Sequence, residues 1–454
     1  MEGRFAKVLK SREVVALSFG AMIGWSWVLV TGTWLTEAGT LGTLIAFVVG
    51  GLAISLVGLT YSELASAMPR AGGEHIYTHR ALGDKWSFVC TWALLFSYLN
   101  VCLFESVALP TAVEYLFPEI RMGTLWNVLG ADVDIGFVLV GAAGTILVTW
   151  TNYVGIRTAA FAQSVVTALI LFSGILLMTG ALFNGQAANA EPWLAEPASG
   201  ILVVLIMVPA MLIGFDVIPQ SAEEIDLPPQ KIGTLLVVSV FCAVLWYVAI
   251  SAAVGFAIPA EQLASSQMAT ADAATNLWGM SWAGNLLVIG GICGIMTSWN
   301  AFIVGASRVL FALSESGYVP KAFSKIHPKY KTPYVGILTI GALSIIAPLF
   351  GRTILVWLIN SGSFAVTIAF LFVAISFLVL RKNEPEMPRP FRVSHPILVG
   401  YGAILMSLGL LSAFLPWSDS ALSWPDEWLT IVVWVVIGAL LLFRYQLNQT
   451  KQSS

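Results

Sequence analysis

Between residues 14 and 446 the sequence divides into twelve stretches of mostly apolar residues: 14–38, 41–66, 86–113, 133–151, 157–182, 199–220, 231–257, 282–313, 334–350, 353–380, 396–416 and 427–446. A bilayer-spanning helix takes about 20 such residues. The connections are short, and the longest polar ones are 67–85, 114–132, 183–198, 258–281, 314–333 and 381–395. None has room for a separate soluble domain. Charged residues make up 10% of the chain and hydrophobic ones 58%, against about 25% charged in a soluble domain. The fold class expected is a single all-α polytopic membrane domain over residues 1–454, with lipid as its surroundings. The first stretch is too long for a cleavable leader and reads as a span.

Basic residues orient such a chain, because they stay on the cytoplasmic side. Arg4, Lys7, Lys10 and Arg12 precede the first stretch. Arg70, Arg80 and Lys85 follow the second, Lys321, Lys325, Lys329 and Lys331 the eighth, and Arg381, Lys382, Arg389 and Arg392 the tenth. With Arg157, Lys231, Arg308, Arg444 and Lys451 they place 20 of 22 bases on one side, leaving Arg121 and Arg352 opposite. Both termini are therefore expected in the cytoplasm, and the membrane is expected to be the inner, cytoplasmic one. The opposite loops carry acids: Glu191 and Glu196, Glu261 and Asp272, and Asp419 with Asp426 and Glu427.

Two stretches are interrupted. Gly20-Ala21-Met22-Ile23-Gly24-Trp25-Ser26-Trp27 sits inside the first, and Pro209-Ala210-Met211-Leu212-Ile213-Gly214-Phe215-Asp216-Val217-Ile218-Pro219 inside the sixth. In lipid a backbone leaves the helix only where protein or water satisfies its freed groups. The two stand five spans apart, and an odd repeat returns inverted, so the pair points to a substrate site near the midplane. Half-helix N-termini there favour an anionic group, and freed carbonyls favour a cation or amine. A charge at membrane depth is costly and faces a cavity or a partner; Asp216 and Glu105 are such acids. Glu74, His75 and His79 resemble a metal face, but they lie in a loop with no third ligand cluster. The four cysteines, Cys90, Cys102, Cys242 and Cys293, show no metal or redox spacing. No metal, cofactor or nucleic-acid partner is expected, and the oligomeric state is left open.

In order along the chain come the break Gly20–Ser26, then Tyr61-Ser62-Glu63-Leu64 running into Pro69-Arg70-Ala71-Gly72-Gly73-Glu74-His75-Ile76-Tyr77. Gly214-Phe215-Asp216 follows with Ala222-Glu223-Glu224, and then Ala306-Ser307-Arg308 through Ser316-Gly317-Tyr318-Val319-Pro320, with Thr332-Pro333 and Arg389-Pro390-Phe391-Arg392 beyond. In this set and order the chain resembles the amino acid–polyamine–organocation transporter superfamily, nearest in the sixth span to its cationic amino acid branch. The resemblance implies a leucine-transporter-type fold, with inverted repeats over 14–182 and 199–380 and two further helices over 396–446. It implies a secondary permease, a symporter or antiporter and not an enzyme, working by alternating access on an amino acid or related amine. A decarboxylated amine, polyamine or quaternary cation is the alternative substrate, and a receptor or membrane enzyme the non-transport alternative. No phosphate-cradling Gly-Lys-Ser loop is present, so ATP is not expected to drive it.

The substrate residues the resemblance implies are Met22, Gly24, Trp25, Ser26, Ala210 and Ile213, and Ile23, Gly214, Phe215, Asp216 and the aromatic Phe302 are further candidates. Spans 3, 8 and 10 complete the pocket. The chain departs from the family at three places. Gly24-Trp25-Ser26 replaces a Gly-Ser-Gly or Gly-Thr-Gly break, so Trp25 puts an indole, and with it a cation–π face, where a small residue is usual. Phe96-Ser97-Tyr98 replaces a Leu-Glu-Tyr triplet on the third span, with Glu105 about 12 Å further along the helix. Ile170 stands where several proton-coupled relatives carry a lysine. Asp216 and Glu105 are left as the acids for a coupling proton or a gate, and Arg308, Glu223 and Glu224 as an ion-pair gate at the cytoplasmic end.

Overall fold

A computed structural model describes residues 5–128, 131–195, 199–266, 268–418 and 421–453. Arg4, Glu196 and Asp419, counted above among the charged flanks and loops, lie outside the described residues. The first half runs α1 (Ser11–Met22), α2 (Ser26–Leu29), α3 (Thr31–Ala67), α4 (Glu74–Leu82), α5 (Asp84–Leu116), a hairpin of β1 (Thr124–Val128) and β2 (Ala131–Asp134), α6 (Ile135–Tyr153) and α7 (Ile156–Asn184). The second runs α8 (Ser199–Met211), α9 (Val217–Gln220), α10 (Pro229–Ala257), α11 (Ala260–Ser265), α12 (Ala269–Trp278), α13 (Ser281–Glu315), α14 (Tyr334–Ile346) and α15 (Ile354–Asn383). The last helices are α16 (Pro396–Ala413) and α17 (Asp426–Ser453).

Among the described residues nine helices are long and apolar enough to cross a membrane, and two apolar helices, Ser199–Met211 and Tyr334–Phe350, are shorter. The first apolar stretch is cut after Met22, and its remainder joins the second stretch across a kink at Gly39, where φ is 73°. The chain 193–195 hydrogen-bonds into that kink, with Leu41 N–H on Trp193 O and Ala195 N–H on Ala38 O. The sixth stretch is cut after Met211. The 114–132 connection, expected as a loop, folds partly into the antiparallel hairpin, and Asp134 caps α6 by accepting from Gly136 N–H at 2.8 Å.

α3 packs on α10 and α8, α5 on α15 and α13, and α13 also on α7. α13 is the central post, with nearly every residue from Thr297 to Ser314 buried. The outer faces are apolar and open: Leu182 and Phe183 are each 81% exposed. An uncovered apolar band of that kind suits lipid, not water. The chain is a multi-pass membrane protein.

The end rich in Lys and Arg is tied shut by buried charge. Arg308 on α13 and Glu224 are each 1% exposed and pair through both guanidinium arms, at 3.0 and 2.8 Å. The Phe5 ring covers the guanidinium at 5.9 Å, and Glu224 O accepts from the N–H groups of Val8 and Leu9. Glu63, at the end of α3, is held by Arg381 and Arg389, and Val393 N–H donates to it at 2.8 Å. The loop helix α4 is pinned by His75. Its Nδ1 lies 2.9 Å from Ser87 Oγ and 3.0 Å from Thr91 Oγ1, and its Nε2 2.7 Å from Ser316 Oγ.

Burial, with a smaller contribution from His79, lowers the pKa of His75 to about 4, although Asp84 pulls the other way. Unfolded histidine titrates near 6.5, so below that pH the opened loop binds a proton that the pinned loop does not. The pinned state is fully favoured above about pH 6.5 and loses stability as pH falls toward 4. Limited proteolysis of the 67–85 loop is therefore expected to speed up over that window and to lose the acceleration in His75→Gln. A flat pH profile in the unsubstituted protein would contradict the assignment.

Candidate functional site

The two interruptions meet. Residues 212–216 form a turn between α8 and α9, and Gly214 there has φ 128°, which only glycine adopts readily. A Cβ on Gly214 would lie 2.6 Å from Ala21 Cβ and 2.8 Å from Ala21 C. The turn of the sixth stretch is thus seated directly on the end of α1. At the first interruption, Ser26 and Trp27 open α2, so their N–H groups have no intrahelical acceptor. Gly294 of α13 faces the carbonyls of Ile23 and Gly24 at close range. Tyr247 of α10 holds the break: its hydroxyl donates to Met22 O at 2.9 Å and lies 3.0 Å from Ser26 Oγ.

Beside these breaks lies a cavity of about 360 Å³, within the usual range for small-molecule sites. Met22, Gly24, Trp25, Ser26, Ala210, Ile213, Phe302 and Glu105 line it, together with faces of α5, α13 and α15. It extends to Arg352 at the end opposite the basic loops, where the Arg352 side chain is 46% exposed and paired with Glu114. The walls are mainly apolar, with Phe104, Met211, Leu355 and Ile359 prominent. Among the described residues, three buried polar atoms of the lining have no hydrogen-bond partner: Ser97 Oγ, Trp25 Nε1 and Glu105 Oε2.

Four of the expected residues fall elsewhere. Ile23 and Gly214 do not line the cavity. Phe215 stacks on Phe370 at 5.4 Å and meets Tyr61 edge-on. Asp216 is fully buried behind the floor, accepting from Tyr98 OH at 2.6 Å and from Gly214 N–H at 2.9 Å. Tyr98 in turn meets Phe302 edge to face at 5.1 Å, so the floor separates Asp216 from the cavity. Beyond it Gln220 donates to the buried Glu74. Ile170 is buried, and the polar contacts nearby are neutral. Gln163 donates to Ala16 O at 3.1 Å and accepts from Asn300 at 2.7 Å, and Asn300 accepts from Asn152 at 2.8 Å.

Sequence reasoning passed over Asn100, Ser298, Ser363 and Tyr247. A signal was present for the α5 residues: Ser97, Asn100, Val101, Phe104, Glu105, Ala108 and Thr111 follow the i, i+3, i+4 spacing of one helical face, and all line the cavity. Tyr247 had none, since one tyrosine in an apolar helix reads as core.

Two outcomes follow. Gly214→Ala combines a disfavoured φ with a clash against α1 and is expected to cost at least ~2 kcal/mol, read as a lower melting temperature in detergent and lost ligand binding. Tyr247→Phe removes two contacts to the break, each worth about 1 kcal/mol. It is expected to lower the melting temperature and, with the break held less firmly, to weaken ligand binding, and unaltered binding would free Tyr247 of that role.

A family model described as amino acid permease matches residues 9–437 of the chain. The branched-chain amino acid permease BcaP of Bacillus subtilis (strain 168) is 28% identical over 460 residues, covering 99% of this chain and 95% of that protein. The methylthioribose transporter of the same organism is 25% identical over 453 residues, covering 97% and 93%. Cationic amino acid transporter 4 of Mus musculus is 27% identical over 405 residues, covering 86% of this chain and 62% of that protein. With the match running almost end to end, the chain belongs to the amino acid permease family of the amino acid–polyamine–organocation superfamily and is a membrane transporter, not an enzyme.

Proposed function

We propose that the chain is a secondary carrier that moves an amino acid or related organic amine across the cytoplasmic membrane by alternating access. The observation that carries the reading is the cavity built where the two interrupted stretches meet. In this reading, residues 14–182 and 199–380 are inverted repeats, 396–446 are two further helices of a twelve-span chain, and the termini are cytoplasmic. The cavity then faces outward. Phe302, Ile213 and the Tyr98–Asp216 bond form the floor beneath it, and the Arg308–Glu224 and Glu63–Arg381 pairs close the cytoplasmic side. Opening inward requires those pairs to part and the floor to move.

The mainly apolar walls suit a hydrophobic side chain, in keeping with a relative named for branched-chain amino acids. Another relative is named as an aspartate-proton symporter, and coupling to a proton, by symport or exchange, is part of the proposal. With Ile170 apolar, the acids placed to change charge are Asp216 and Glu105. Asp216 sits between floor and turn, where its protonation would alter the bond from Tyr98 and the shape of the sixth-span break.

Purified protein in liposomes is expected to take up at least one radiolabelled neutral amino acid, faster under an imposed pH gradient, and to show counterflow. Asp216→Asn is expected to blunt the pH response about tenfold. If nothing in a broad panel of amino acids and amines moves, the carrier reading fails. An unchanged pH response in Asp216→Asn removes that residue from coupling.

A further inference from the structure

Glu105 is a carboxylic acid inside the cavity wall, and among the described residues no cation is paired with it. Its side chain projects from α5 toward the first interruption, so that Oε1 would lie 3.3 Å from a Cβ at Gly24. Glycine at that place is what lets a carboxyl group approach the broken backbone. Ser298 of α13 faces the same Gly24 position, its Oγ 3.5 Å from that Cβ, while Oε2 is buried and has no partner among the described residues.

Among the described residues the surroundings supply no unpaired cation. Cys102 on the same helix and Tyr247 on α10 are the titratable groups near it, and neither carries a positive charge. Arg352 lines the same cavity nearer its mouth, but its guanidinium is paired with Glu114, which also holds Arg121. The buried Arg308 and the half-buried Arg381 are taken by Glu224 and Glu63 at the far end. A bare carboxylate away from water costs several kcal/mol. Its charge is compensated by a proton or by a cation that enters the cavity.

We propose that Glu105 is the counter-ion for a substrate ammonium group, and that the ammonium and the carboxyl proton replace one another. This rests on the carrier reading above and names the feature its substrate must have: a primary ammonium on an apolar body, with the α-carboxylate dispensable. On binding, the Glu105 O–H bond breaks, its proton leaves to water at the mouth, and an N–H of the ammonium donates to the freed oxygen. With an amine the cavity's charge is the same loaded and empty, whereas an amino acid adds the negative charge of its own carboxylate. The Trp25 ring, packed against Gly291 at the same break, adds a face suited to a cation. The small Ser97 leaves the deeper wall uncharged, so a second positive group on the substrate finds no partner there.

Matched triplets separate this from its rivals. Leucine, 3-methylbutylamine and 4-methylpentanoate share one apolar body, as do phenylalanine, 2-phenylethylamine and 3-phenylpropanoate. Calorimetry on the full-length protein in two buffers of different ionisation enthalpy reads affinity and protons released together. At least one amino acid and its amine are expected to bind, with close to one proton released per ligand, and the deaminated acid at least tenfold more weakly. Glu105→Gln is expected to weaken both ammonium ligands at least tenfold and abolish proton release. Glu105→Asp, which keeps the carboxyl, is expected to retain release, so a folding defect in the first variant does not decide the matter.

Equal binding of the deaminated acid, unchanged binding in Glu105→Gln, or binding without proton release would overturn the proposal. If leucine is transported while Glu105→Gln binds it normally, this assignment falls and the carrier reading stands. If no member of the triplets binds or moves, both fall.

Discussion

At the end rich in Lys and Arg a few ion pairs, buried on at least one side, join elements that are far apart in the sequence. Arg308–Glu224 fastens α13 to the segment that follows the sixth-span break, and residues 8 and 9 dock on the same segment. Glu63 fastens the end of α3 to the end of α15 and to the connection beyond it. Such pairs add little net stability compared with apolar packing, but removing one partner costs about 3–5 kcal/mol because it strands a buried charge. They behave less as glue than as latches: either both partners are in place or the arrangement changes as a unit.

With that end latched, the broken stretches have a fixed base. α1 and the turn 212–216 are pressed together at Gly214, and Tyr247 spans the gap between Met22 and Ser26. The cavity lies above this junction and the acid Asp216 below it, with Phe302 and Tyr98 between. The same local chemistry that interrupts the helices, glycine and proline within apolar runs, therefore leaves a mainly apolar cavity on one side of an aromatic layer and a buried acid on the other.

Much of this was legible in the sequence. The apolar stretches, the two interruptions and the candidate acids stood out because lipid tolerates so few departures from a plain apolar helix. The motif halves were visible too, but not their pairing: nothing in Tyr61-Ser62-Glu63-Leu64 says that its acid meets Arg381 and Arg389, which only the fold brings near. The side on which Asp216 projects was likewise hidden, because a residue in a turn has no helical periodicity to assign its face. Glu105 was more readable than it was taken to be, since counting from Ser97 along α5 places it on the cavity face. The hairpin at 124–134 was missed because its short strands carry few β-branched residues and the capping Asp134 reads equally well as a loop acid.

The contacts between α1 and the Gln163–Asn300–Asn152 chain differ in kind from the latches. They are made only by amides and backbone carbonyls. A membrane potential does work of about 2.3 kcal/mol per unit charge per 100 mV, and it acts only on charge that moves. These contacts hold no formal charge, so voltage has no direct purchase on them, in contrast to the Arg308–Glu224 and Glu63–Arg381 pairs, whose charges a potential would act on.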